Sequence, residues 1–206
     1  MKGYFAVALM ALLILGMAAC SPATPATQEI ASTLPPGPAE PYHTLTTRTG
    51  MESIDQILEA VSSRDVQSLR FLVEFTNAKC TQQDGLGGPP KCREGEPDGT
   101  AVEVLAFLSS EGSFLRKDEI DNWSGIEVSG IYAVYEVNSP VVSSEQYYPV
   151  GKYVILFVRE ENQPAVALRI GGGGIVRVDD IFDSSPESLN AMVEREASTV
   201  ILAPKS

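Results

Sequence analysis

Four segments between residues 130 and 182 decide what this chain can become. Gly130–Asn138 (GIYAVYEVN), Lys152–Glu160 (KYVILFVRE), Pro164–Ile170 (PAVALRI) and Ile175–Phe182 (IVRVDDIF) are dense in β-branched and aromatic residues. Such residues suit a pleated, packed surface, so each segment predicts a strand. Ile131, Ala133, Tyr135 and Val137 share one face of the first. The third and fourth alternate less cleanly, because Arg169 and Arg177 fall in phase with their neighbours two along. Glu161-Asn162-Gln163 joins the second and third as a tight hairpin, and Gly171–Gly174 joins the third and fourth. Successive glycines reach positive φ freely, as a tight reversal requires. An anion cradle is the rival use of such a run, but no helix follows to aim its N–H groups.

Helical patterns flank these strands. Ser53-Ile54-Asp55-Gln56 has the form of a capping box, and Ile54, Ile57, Leu58 and Val61 then follow helical spacing. Asp65 caps a second short helix carrying Val66, Leu69, Leu72 and Val73. Near the C-terminus, Ser185 is a cap and Pro186 fits the first helical position, with Leu189, Met192 and Val193 as the apolar stripe. Residues 199–202 (TVIL) add a short strand or pack as a tail. Helices first, then antiparallel strands, then a helix reads as α+β. The expected architecture is short N-terminal helices on a curved, mainly antiparallel sheet, closed by a C-terminal helix.

Between these parts, residues 76–99 (TNAKCTQQDGLGGPPKCREGEPDG) are loop-like, since glycine and proline forbid long regular structure. Gly85, Gly87 and Gly88 form no phosphate loop, because no Lys-Ser or Lys-Thr follows. Asp84 and Asp98 lack the alternating oxygen ligands of a calcium loop. Thr100-Ala101-Val102-Glu103 again has capping-box form and predicts a helix to about Ser109, with a strand over residues 102–108 as the alternative. Phe114–Trp123 predicts a helical turn or two, anchored on the core by Trp123.

The first twenty residues (MKGYFAVALMALLILGMAAC) form a charged start, an apolar run to Leu15, and small residues ending on Cys20. That order is a secretory signal, and the run is shorter than the ~20 residues of a spanning helix. Residues 20–49, rich in Pro, Ala and Thr, read as an extended tether, and 50–206 as one folded domain. His43, the single histidine, falls in the tether on this reading. The net charge is −12, which repels phosphates and disfavours nucleic-acid partners. In an exported chain the remaining pair, Cys80 and Cys92, predicts a disulfide. A loop of that size gains about 3 kcal/mol by the chain-entropy estimate.

Gly16-Met17-Ala18-Ala19-Cys20 resembles the lipobox of bacterial lipoproteins. The resemblance implies cleavage before Cys20 and fatty acylation (palmitate-type chains) of its thiol and new N-terminus. It also implies anchorage to the outer face of the cell membrane or to an outer membrane. LGGPPKCREGEPDGT is similar to a segment of envelope lipoproteins and brings no activity with it. IDQILEAVSSRDVQSLRFLV resembles the opening of the nuclear-transport-factor-like superfamily. There two short helices with a polar break cover a curved sheet, and small isomerases and cyclases share the cone-shaped fold. In that fold a catalytic acid projects into a cavity between sheet and helices, a position open here to Asp179, Asp180, Tyr132 or Tyr135.

The folded domain is expected to lack histidine, which excludes histidine-dependent triads and dyads. Asp118, Glu119 and Asp121 cluster in one segment and Asp179, Asp180 and Asp183 in another, but Asp183 and Glu187 suit a helix start and the others suit solvent. No catalytic residue, metal ligand set or cofactor is assigned. The reading is an envelope lipoprotein domain that binds an unidentified protein or small molecule through its sheet cavity or its disulfide loop. The contrasting class is a small isomerase, cyclase or hydrolase using a carboxylate or tyrosine.

Overall fold

A computed structural model describes residues 42–138, 147–160 and 163–205. Among these, eight strands form one open, mixed sheet in the order β1-β2-β7-β6-β5-β4-β8, with β3 paired to β2 off that path. β4 (Gly130–Val137), β5 (Tyr153–Val158), β6 (Ala165–Ile170) and β7 (Ile175–Ile181) are the four β-rich segments, each antiparallel to the next. β1 (Thr76–Lys79), β2 (Ala101–Leu108) and β3 (Ser113–Arg116) precede them. β2 runs parallel to β7 over Ala106–Leu108, the pairing that makes the sheet mixed. β8 (Ala197–Leu202) follows the C-terminal helix without a loop and pairs antiparallel with β4.

The strands read as continuous apolar runs because both faces are covered. α1 (Glu52–Ser62) and α2 (Val66–Phe71) lie on one face, where Ile54, Ile57, Leu58 and Leu69 pack with Ile155, Phe157, Val166 and Leu168. α3 (Pro186–Glu196) covers the other, where Leu189, Met192 and Val193 meet Val154, Leu156, Ala165 and Ala167. Alternate residues of β5 and β6 thus serve two separate cores. Trp123 is buried in the first and meets Phe107 edge-on.

The helix starts follow local chemistry. Asp65 caps α2 by accepting from Ser68 N at 3.0 Å, and Ser185 Oγ accepts from Ser188 N at 3.3 Å with Pro186 behind it. Ser53 does not cap α1. α1 begins at Glu52, and Asp55 in its first turn accepts from Thr49 N (2.7 Å) and Gly50 N (3.0 Å) instead. The helix expected at Thr100–Ser109 is β2. Val102, Val104 and Leu105 are buried there, and three strands pair with it. Glu103, which completed the capping signal, points outward to Lys117 at 3.0 Å. Phe114–Trp123 holds β3 and a 3-10 segment, Lys117–Asn122.

The ordered body also begins before Gly50. His43 pairs with Ile131 through backbone bonds of 2.8 and 2.9 Å, and its ring Nε2 lies 2.7 Å from Ala203 O. The histidine read as part of the tether therefore sits on the sheet. It joins the segment before α1 to β4 and to the C-terminal tail.

The Gly171–Gly174 turn closes with a 2.8 Å bond from Gly171 N to Gly174 O. It presses against the segment leaving α2, so a Cβ on Gly174 would lie 2.4 Å from Leu72 O. Leu72 O is backbone and also accepts from Ile175 N at 2.7 Å, so it cannot yield cheaply. Gly174→Ala is expected to destabilise by about 1–3 kcal/mol, read as a lower urea midpoint at unchanged slope.

Candidate functional site

Cys80 follows β1, and its disulfide to Cys92 closes a loop that leaves and returns to the sheet edge. Prolines and glycines keep the loop out of the ladder, so its backbone is satisfied locally. Thr81 N bonds Pro90 O (2.8 Å), Cys92 N bonds Thr81 O (2.9 Å) and Gln82 N bonds Asp98 Oδ1 (2.8 Å). Two arginines strap the loop down. Arg116 of β3 grips Glu96 with both terminal nitrogens, at 2.7 and 2.6 Å. Arg93 reaches Asp118 at 2.6 and 2.9 Å and also bonds Glu119.

These pairs set the local titration. Arg116, helped by the Arg93 N–H, holds the Glu96 carboxyl down to about 2. Arg93 lowers Asp118 in the same way, and Asp118 and Glu119 raise Arg93 in return. The segment acids of the sequence reading thus take up the loop's cations. Asp121 meets Arg70 at 3.6 Å.

Beside the straps opens a cleft of about 430 Å³, lined by Gly87, Gly88, Lys91, Arg93, Phe114 and Arg116 among others. Phe114 continues into a cluster with Tyr147 and Tyr148, at ring separations of 5.1–5.8 Å. Gly112 has φ +68°, and a Cβ there would lie 2.1 Å from Tyr148 Oη. Only glycine allows that turn and that approach together. A second groove of about 340 Å³ lies between α1 and α2, with Phe71 exposed at its rim.

The face under α3 holds a different arrangement. Arg169 on β6 and Arg177 on β7 stand opposite each other and converge on Asp179, which is 3% exposed. Arg169 Nε donates to Asp179 Oδ2 at 2.7 Å, and Arg177 Nε and Nη2 donate to its two oxygens at 2.6 and 2.9 Å. Arg169 Nη2 also reaches Glu196 Oε2 at 3.0 Å, which accepts from Tyr135 Oη at 3.2 Å. Burial opposes the charge on Arg169, but Asp179 and Glu196 outweigh it and hold it above its ordinary value. Burial and the nearby Glu196 push the Tyr135 phenol well up. Glu196 ends α3, where the helix dipole disfavours a carboxylate, and these partners offset that cost. The network locks α3 to the sheet.

The sequence reading sent Asp179 either to a cavity or to solvent. It lies in neither: two guanidinium groups occupy its oxygens, and these donate in turn to Val150 O at 3.4 Å and Tyr148 O at 3.3 Å. Asp180 is half-buried and meets Arg159 at 3.3 Å. Asp183 accepts from Ser188 and Ser185 at the start of α3, which lowers its pKa. Tyr132 Oη bonds Asn190 Oδ1 at 2.9 Å. The face beneath α1 and α2, where the cone resemblance placed a cavity, is packed with apolar side chains. Cys20, the lipidation candidate, lies outside the described residues. The buried arginines were missed; their phase with apolar neighbours two along was the available signal.

No protein-family model, no curated protein and no solved structure matches the chain.

Two outcomes test these contacts. Asp179→Ala leaves two buried guanidinium groups without their carboxylate and is expected to cost about 3–5 kcal/mol. Asp180→Ala, on a half-exposed pair, is expected to cost under about 1 kcal/mol. Chemical denaturation of both variants provides the comparison. For Glu96, the folded pKa lies below the unfolded value of 4.5. Its contribution is therefore complete above 4.5 and fades as pH falls toward 2. Glu96→Gln should flatten that acidic limb of the stability–pH curve; an unchanged limb would assign it to other acids.

Proposed function

We propose that this chain is an exported lipoprotein, anchored through acyl chains on Cys20, whose folded body is a ligand- or partner-binding module. The leader residues and the even cysteine pair support export. Among the described residues no helix is long and apolar enough to cross a membrane, so any attachment through this region would need another device. Two or more acyl chains hold firmly, since each buried methylene contributes about 0.8 kcal/mol. We read the fold as cone-shaped, of the nuclear-transport-factor-like kind. Support comes from α1 and an Asp65-capped α2 lying together on one sheet face, before the long antiparallel run.

The observation that carries the binding reading is the cleft at the disulfide loop. It stands open beside the loop, with its arginines pre-positioned by ion pairs, while the sheet face under α1 and α2 is filled. Loops held by a rigid scaffold are where binding sites concentrate. The acids that would serve an enzyme are committed to arginines or to a helix cap.

In the native host, Cys20→Ser is expected to move the protein from the membrane to the soluble fraction and abolish the acyl mass increment. Persistent membrane attachment with normal processing would contradict the anchor. For the cleft, the test is native mass spectrometry of the membrane-extracted protein, compared with Gly88→Trp. Gly88 lines the cleft and has open space where a side chain would go, so tryptophan is expected to obstruct it. A bound molecule present in the wild type and lost in the variant is the expected result. A wild type without one, or retention in the variant, would contradict the assignment.

A further inference from the structure

The disulfide loop brings together donors that the binding reading uses only as structure. The two cysteine sulfurs and a Glu96 oxygen all lie within 4.8 Å of one another. Glu96 Oε2 is 3.9 Å from Cys80 Sγ. While the sulfurs are bonded to each other they are not thiolates, and the set does not ligate a metal. We infer that reduction of the Cys80–Cys92 bond converts this cluster into a three-ligand site for a thiophilic divalent cation of the zinc type. This inference is independent of the lipid anchor and of the cleft's ligand.

The spacing fits. Tetrahedral zinc with bonds of about 2.3 Å to sulfur and about 2.1 Å to oxygen places sulfurs roughly 3.8 Å apart and sulfur and oxygen roughly 3.6 Å apart. The Glu96 oxygen is already near that distance from Cys80. Cα atoms 4.9 Å apart let both cysteine arms converge on an ion between them, and Cys92, being half-buried, has room to turn. Two thiolates and one carboxylate select zinc or cadmium over calcium or magnesium.

The surroundings also fit. Arg116 and the Arg93 N–H (2.8 Å) fix the Glu96 carboxylate from outside, as outer partners of metal ligands do. Two thiolates, one carboxylate, the Arg116 guanidinium and a divalent cation together carry no net charge. Pro97 O lies 3.5 Å from Cys92 Sγ, but it already accepts from Thr100 Oγ1 at 2.7 Å. The fourth coordination position is open to Pro97 O, to water or to an added ligand.

The chemistry balances with a thiol as reductant. Two equivalents of a small thiol, R′SH, give the two cysteine thiols and one R′S–SR′. The cation then displaces one proton from each thiol and forms two metal–sulfur bonds.

The test uses the folded chain, reduced and freed of thiol without oxygen. It is titrated with Zn²⁺ against a chromogenic chelator and with Co²⁺ for thiolate charge-transfer absorption. The reduced protein is expected to take up one equivalent and release two protons, with the Co²⁺ band present. The oxidised protein is expected to bind at least ~100-fold more weakly, and Glu96→Gln at least ~10-fold more weakly than wild type. Cys92→Ser should lose the band. Circular dichroism of the oxidised Glu96→Gln chain checks its fold. If it is unfolded, Glu96→Asp, which keeps the carboxylate, is read instead and should bind more weakly than wild type yet retain the band. Equal affinity of oxidised and reduced protein, a Glu96 variant as tight as wild type, or a reduced chain that takes up no metal would overturn the inference.

Discussion

The structure depends on burying both faces of the β4–β7 run. Each strand there sends alternate side chains into two separate cores, so one layer of helices cannot complete the fold. α1 and α2 supply one cover and α3 supplies the other. A one-residue slip in register would exchange the two sets, moving Ile155 and Phe157 under α3 and Leu156 under α1. Double burial therefore fixes register more tightly than a one-faced sheet would. It also leaves the sheet faces unavailable, so that contact with other molecules falls to the disulfide loop and to the outer surfaces of the helices.

Charge is distributed to match. The chain has 27 acidic and 15 basic side chains, and arginines are spent largely inside it. Arg48, Arg70, Arg93, Arg116, Arg159, Arg169, Arg177 and Arg195 are all in ion pairs. They differ in weight. Arg169 and Arg177 join Asp179 where water is excluded, so the loss of one member strands the others. Arg93 acts at the loop surface, where screening weakens its pairs, while the Arg116–Glu96 pair is partly shielded from water. The outer surface left by this arrangement is acidic, which suits a body kept away from anionic phosphates and headgroups.

Much of this was legible in the residues. The four strands, the Asp65 and Ser185 caps and the Cys80–Cys92 bond could each be read locally, because the signal and its cause lie within a few positions. The Ser53 cap fails locally, since Asp55 takes the preceding N–H groups instead; the other failures turn on pairing and packing. Thr100–Glu103 carries a helix-start signal, but Val102, Val104 and Leu105 pair with β1 and β3 on either side in the chain and Ala106–Leu108 with the distant β7, and this pairing overrides the cap. Arg169 and Arg177 break the alternation of their strands, but Asp179 between them, Glu196 at the end of α3 and the carbonyls of Tyr148 and Val150 are needed to show why they are buried. His43 follows a Pro-rich stretch, and only Ile131 and Ala203 reveal its place. The candidate loop was visible as a loop, but the arginines that strap it come from β3 and from the loop itself, a match that composition does not disclose.

Native-state hydrogen exchange tests the two-cover account most directly. If both faces are sealed, the amides of β5 and β6 exchange only through global unfolding. Breaking the Asp179 network should then loosen α3 and its face while the pairing of β5 with β6 persists. Amides of β5 and β6 that exchange as fast as those of the edge strand β8 would show a sheet open on one side and would contradict the account.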